Sequence, residues 1–171
     1  MNNQERQHAH LFLAPYFDAV RDVFAARYPD IRKTRLEVSA AVHDTPRHYA
    51  ACRDDGLLIQ VAPQMVDLEA EHVVAILSHE CGHALDFLYP ARFKVTQPGH
   101  PAREASGGRG SERDLRRWRE RELHEVELAA DCIAHLVTGR KILYSGECPT
   151  SDHCHLLQSF SEGVVRPAWL R

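Results

Sequence analysis

The sequence predicts an α+β fold for a single domain spanning residues 1–171. Two observations carry that expectation. Strand-like alternation is confined to residues 35–62, and helix-period apolar stripes run through about residues 8–28, 67–89 and 111–138. A chain of 171 residues can bury one sizeable core. That core is expected over about residues 35–140, with an N-terminal helix before it and a tail over about 140–171.

The first helix is expected over residues 8–28, with Leu11, Phe12, Tyr16, Val20, Val23 and Phe24 as its apolar stripe and Pro29 as its stop. Pro15 falls within the pattern and is expected to split or kink it. Strands are expected near 35–42, 47–53 and 57–62, with Asp54-Asp55-Gly56 turning the chain between the last two and Pro63 ending the third. A helix from Asp67, its expected N-cap, to Tyr89 follows, and Pro90 stops it. Its stripe comprises Val73, Val74, Ile76, Leu77, Cys81, Ala84, Leu85 and Leu88.

Residues 97–111 hold Pro98-Gly99-His100-Pro101 and Ser106-Gly107-Gly108-Arg109-Gly110, and read as a connection. Ser111-Glu112-Arg113-Asp114 resembles a capping box for a helix running to about Thr138, with Gly139 as its stop. Arginines between 113 and 121 alternate with acids and read as a solvated, salt-bridged face, and Trp118 reads as a core anchor.

The chemistry lies in His79-Glu80-Cys81-Gly82-His83, an H-E-x-x-H pattern inside the helix expected over 67–89. Histidines at i and i+4 sit one turn apart on one helical face. Two imidazoles so placed can hold one Zn²⁺, and the adjacent Glu80 can serve as general base toward water that the metal activates. Glu127, on the next helix, supplies a third ligand and leaves one position open, the layout of a catalytic zinc site. Chance gives roughly 0.06 such H-E-x-x-H patterns in a chain of this composition. The competing reading is a buried helical histidine pair with no metal. Asp131, one turn past Glu127, could accept a hydrogen bond from a ligand imidazole and fix its tautomer. Its alternative is a surface ion pair. Gly82 would let another backbone approach closely, or is simply a tolerated glycine. Cys81 is expected to face the core, away from the metal.

Composition narrows the function classes. A net charge of -3 gives no footprint for nucleic acid or anionic membrane. The polar N-terminus lacks a signal-peptide core, and no run approaches the ~18 apolar residues of a span, so a cytoplasmic location is expected. Five cysteines without secreted-domain spacing read as reduced thiols.

The pair of motifs, H-E-x-x-H with Glu127-Leu128-Ala129-Ala130-Asp131, resembles the gluzincin metallopeptidases. The E-x-x-A-D form is similar to the branch containing the heat-shock and CAAX-type membrane endopeptidases, and to the small soluble minigluzincins. The resemblance covers roughly residues 55–140. It implies a zincin-like fold, with a small antiparallel or mixed β-sheet packed on the active-site helix and a second, glutamate-bearing helix. It also implies an edge strand that binds an extended peptide, here Leu57-Leu58-Ile59-Gln60-Val61-Ala62. The implied activity is a zinc endopeptidase acting on protein or peptide, with one Zn²⁺ per chain. The group's membrane helices are missing from the sequence, and no DNA-binding module accompanies the core.

Gluzincins usually add a His or Tyr donor for the oxyanion. Tyr144, His153 and His124 are candidates here, although each taken alone reads first as an ordinary packed or solvent residue. Cys148, His153, Cys154 and His155 are dense enough to suggest a second zinc site, although the spacing is no standard finger. A thiolate from Cys148 or Cys154 could instead block the open zinc position, and a plain loop with reduced cysteines accounts for the stretch as well. Two other functions remain open at this stage: a non-catalytic zinc-binding or interaction module, and a metal hydrolase of a non-peptide amide.

Overall fold

The structure is a computed structural model, and it describes residues 2–44, 49–89 and 126–135. Its order is helix α1 (Asn3–Ala25), strand β1 (Arg35–Val38), strand β2 (Ala50–Arg53), strand β3 (Leu58–Val61) and helix α2 (Ala70–Leu88). Residues 126–135 form a further helical segment, α3. Among the described residues, three α-helices and a small mixed sheet make this an α+β fold, as expected. Among the described residues no helix is long and apolar enough to cross a membrane.

Helix α1 starts earlier than expected. Asn2 caps it, its side chain accepting from the Glu5 amide while the Glu5 carboxylate accepts from the Asn2 amide. Pro15 lies inside the helix without ending it. A proline there cannot donate to the carbonyl of Leu11, four residues back. Leu11 is 66% exposed, so this turn of the helix faces solvent. The buried face also differs from the expected stripe. Ala9, Leu13, Phe17, Val20 and Phe24 are buried, whereas Leu11 and Phe12 face solvent. Both stripes have helical spacing, and only the docking partner decides between them.

The sheet has the order β1-β3-β2, with β1 parallel and β2 antiparallel to β3. This corrects the strand expected to bind a peptide. The segment from Leu57 to Ala62 contains the central strand β3, whose hydrogen bonds are used on both sides. Its composition agrees with that place, since Leu58, Ile59 and Val61 are all buried on a strand four residues long. The outer strands among the described residues are β1 and β2. The Ala62 amide donates to the Tyr49 carbonyl at 2.7 Å, which sets the phase of the β2–β3 ladder. With Ala51 opposite Gln60, the backbone groups of Ala51 and Arg53 face β3, and those of Ala50 and Cys52 point away from it.

The turn between β2 and β3 places three successive residues at positive φ: Asp54 at 52°, Asp55 at 53° and Gly56 at 86°. Gly56 is buried and its carbonyl accepts from the buried Thr34 Oγ1 at 2.7 Å. The expected first strand is shorter than 35–42, because residues Ala40–Asp44 coil into a 3-10 turn after β1.

Helix α2 begins at Ala70 rather than at Asp67. Pro63 opens a 3-10 turn that ends with Asp67, so Asp67 is not the N-cap. The helix ends at Leu88, where the Tyr89 hydroxyl ties it to the segment after α1. That hydroxyl accepts from the Asp30 amide at 2.9 Å and donates to Asp30 Oδ2 at 3.2 Å. The expected α2 stripe is buried from Val73 through Leu85. One core joins it to Leu13, Phe17, Val20 and Phe24 of α1, to Val38, Ile59 and Val61 of the sheet, and to Ile133 of α3. Each such side chain is worth roughly 1.5–3 kcal/mol when fully removed from water. α2 lies against both α1 and β2, which sets its H-E-x-x-H turn beside an outer strand.

Candidate metal centre

His79 and His83 occupy the inner half of α2, one turn apart. His79 is 4% exposed and Glu80 is 8% exposed. α3 brings two carboxylates to opposite ends of one imidazole. His79 Nδ1 is 3.0 Å from Asp131 Oδ1, and His79 Nε2 is 3.1 Å from Glu127 Oε2. A carboxylate can only accept when ionised, so Nδ1 carries the proton it donates to Asp131. Asp131 is fully buried, which makes that contact a strong fixation of the ring rather than a surface ion pair.

His83 Nε2 stands 3.0 Å from His79 Nε2 and 3.4 Å from Glu127 Oε1. One ligand atom from each of His79, His83 and Glu127 therefore converges within 4.8 Å of the others, and this group can hold a metal ion. Cys81 is fully buried in the core, on the side of α2 away from this cluster. The described part of α3 carries Glu127 and Asp131. His124, Tyr144, Cys148, His153, Cys154 and His155 lie outside the described residues, as do the 97–111 connection, Trp118 and the capping box at Ser111.

Electrostatics follow from burial and neighbours. Burial pushes the Glu80 carboxyl above its ordinary range, against the pull of His83, His79 and the Cys52 amide, which donates to it. That amide was not foreseen from the sequence. It is one of the β2 groups that point away from β3, and nothing local in Ala51-Cys52-Arg53 signals it. The Cys52 thiol beside it is pushed up to about 12, first by burial and then by the Glu80 charge, so it stays protonated near neutrality.

No family model, curated protein or solved structure matches this chain.

Burial pushes the His79 imidazole down, but hydrogen bonds to Asp131 and Glu127 outweigh it, and the ring is raised to about 9. Hydrogen bonds from His79 and His83 hold Glu127 well below the usual carboxylate range. In the metal-free protein these shifts have definite signs. A raised His79 contributes stability that is complete below its ordinary 6.5 and is lost as pH rises through about 9. The raised Glu80 acts in the same direction. The lowered Glu127 contributes above its ordinary 4.5 and is lost as pH falls. Metal-free protein is thus expected to lose thermal stability between about pH 6.5 and 9. Thermal melts across that window check this, and Asp131→Asn should flatten the slope. A melting temperature independent of pH there would reject the account.

Proposed function

We propose that this chain is a zinc-dependent endopeptidase of the gluzincin kind, with His79, His83 and Glu127 as ligands and Glu80 as general base. The observation that carries the reading is the double engagement of His79. One helix holds its Nδ1 through Asp131 and meets its Nε2 through Glu127, while His83 closes on the same point.

The donor set supports zinc. Two imidazoles and a carboxylate with one position open is a catalytic-type set. Zinc bonds of about 2.0–2.1 Å at tetrahedral angles need neighbouring donors about 3.4 Å apart. Here the two imidazole nitrogens are 3.0 Å apart, and Glu127 presents Oε2 to His79 at 3.1 Å and Oε1 to His83 at 3.4 Å, so each neighbouring pair lies within a few tenths of an ångström of that spacing. Zinc held there by His79, His83 and Glu127 would supply Lewis acidity toward a peptide carbonyl and lower the pKa of water.

The chain's own residues supply the rest. Asp131 fixes His79 with its proton on Nδ1, leaving the Nε2 lone pair for the ion. Glu80 is buried with a raised pKa, which suits a carboxylate that takes a proton from water and passes it to a leaving amine. The Ala50 backbone groups and the Cys52 carbonyl on β2, which point away from β3, offer a pairing edge for an extended peptide, while the Cys52 amide is held by Glu80. In this reading β2 replaces the Leu57–Ala62 segment as the strand that takes the substrate.

The test is metal reconstitution. Chelator-stripped protein is titrated with zinc, and hydrolysis of an unstructured protein such as casein is followed. One zinc per chain, with cleavage that appears on zinc addition and vanishes on chelation, is the expected result. Zinc uptake without cleavage would favour a non-catalytic zinc module. Failure to take up any zinc would remove the reading altogether.

A further inference from the structure

Gly82 sits between the two histidines, on the side of α2 that meets α3, and it is buried. A methyl group placed on it would lie 3.0 Å from the Cα of Ala130, 3.3 Å from the Ala130 Cβ and 3.2 Å from Ile133 Cδ1. Two of these contacts are to Ala130, whose Cα is backbone and cannot swing aside. Ala130 is the residue immediately before Asp131 on the helix that also carries Glu127.

We infer that Gly82 is a positioning residue for the metal centre: its missing side chain sets the distance at which α3 can reach both nitrogens of His79. This rests on the reading of His79, His83 and Glu127 as metal ligands. The argument turns on tolerance. The two α3 contacts to His79 are 3.0 and 3.1 Å, ordinary N–H···O distances in a range that ends near ~3.2 Å, so a few tenths of an ångström of separation carries both past it. An added methyl must push α3 outward by a few tenths of an ångström. Because both carboxylates ride on one helix, the shift cannot be taken up at Glu127 without also affecting Asp131. Side-chain torsions can recover one contact more easily than two.

Helix propensity makes the opposite forecast. A glycine in a helix interior costs about 1 kcal/mol relative to alanine. If Gly82 were merely tolerated, Gly82→Ala would stabilise the protein and leave metal binding alone. The two accounts differ in sign.

The experiment measures zinc affinity by competition with a chromophoric chelator in the full chain, for the parent, Gly82→Ala, and Gly82→Ala with Ala130→Gly. Gly82→Ala is expected to bind zinc about 10–100-fold more weakly, as loss of a ligand's supporting contact does. Ala130→Gly removes the methyl on the facing wall and is expected to recover part of that loss. Should Gly82→Ala not fold, Ala130→Ser loads the same contact from α3 and is expected to weaken zinc binding likewise. Parental affinity in folded Gly82→Ala, or in folded Ala130→Ser where Gly82→Ala does not fold, overturns the inference, as does a loss that Ala130→Gly leaves untouched. A parent that binds no zinc overturns the ligand assignment itself and this inference with it.

Discussion

Glu80→Gln is expected to lower peptide hydrolysis by about 10²–10⁴-fold, the usual contribution of a general acid–base group. The substitution keeps the shape of the side chain and removes only its ability to take a proton. Glu80 is 8% exposed and packs where the Cys52 amide donates to it, and a glutamine oxygen can still accept that hydrogen bond. The fold should therefore survive, since an ionisable group at a buried position gives way to a neutral one. Zinc content should also be unchanged, because the ligands are untouched. The measurement is paired: turnover of casein and zinc per chain on the same preparation. Turnover that survives with zinc in place would remove Glu80 from the chemistry. Loss of both turnover and zinc would instead mark Glu80 as a support for the ligands.

Gly56→Ala is expected to cost about 2–5 kcal/mol of stability. Two terms add. Gly56 sits at φ 86°, where an alanine pays roughly 1–2 kcal/mol. The new Cβ would also meet the Ala84 carbonyl oxygen at 2.7 Å, the Ala84 Cα at 3.2 Å and the Phe87 Cβ at 3.1 Å, and overpacking of this kind costs about 1–3 kcal/mol. The first two of these are backbone or its Cα, so the turn itself must lift away from α2. Lifting it strains the Thr34 hydroxyl bond to the Gly56 carbonyl. For a chain of this size the fall in melting temperature should be roughly 4–20 °C. Thermal unfolding followed by circular dichroism reads it directly, and an unchanged melting temperature would mean that the close approach of turn and helix is dispensable. Ala84 follows His83 directly, so zinc affinity in this variant is worth measuring alongside.

Much of this architecture is legible in the sequence where local chemistry decides it. The turn at Asp54-Asp55-Gly56 and the helix carrying His79 and His83 follow from glycine chemistry and apolar period. The contact between Asp131 and an imidazole follows from spacing once two helices are assumed to face each other. What the sequence hides is set at long range. Nothing local says that β1 joins β3 in parallel and leaves β2 outside, although the burial of both Leu58 and Ile59 is a sign of a two-sided strand. In α1, Leu11 and Phe12 are as apolar as Leu13 and Phe17, and only docking against α2 and β1 selects the second pair. The Cys52 amide beside Glu80 is a backbone group, and its place depends on the strand order that the sequence leaves undecided.

The two contacts of His79 join positions 48 and 52 residues apart. In polymer terms they close a long loop, and loop closure costs entropy that grows only slowly with length. An ion held by both ends acts as a cross-link. By the relation used for disulfides, a link closing a loop of 48 residues restricts the unfolded chain by about 4 kcal/mol. That figure is a large share of the ordinary margin of a domain this size. With an ion held there as proposed, docking of α3 and occupancy of the centre would become one thermodynamic event: whatever sequesters the ion would also loosen the tether between α2 and α3.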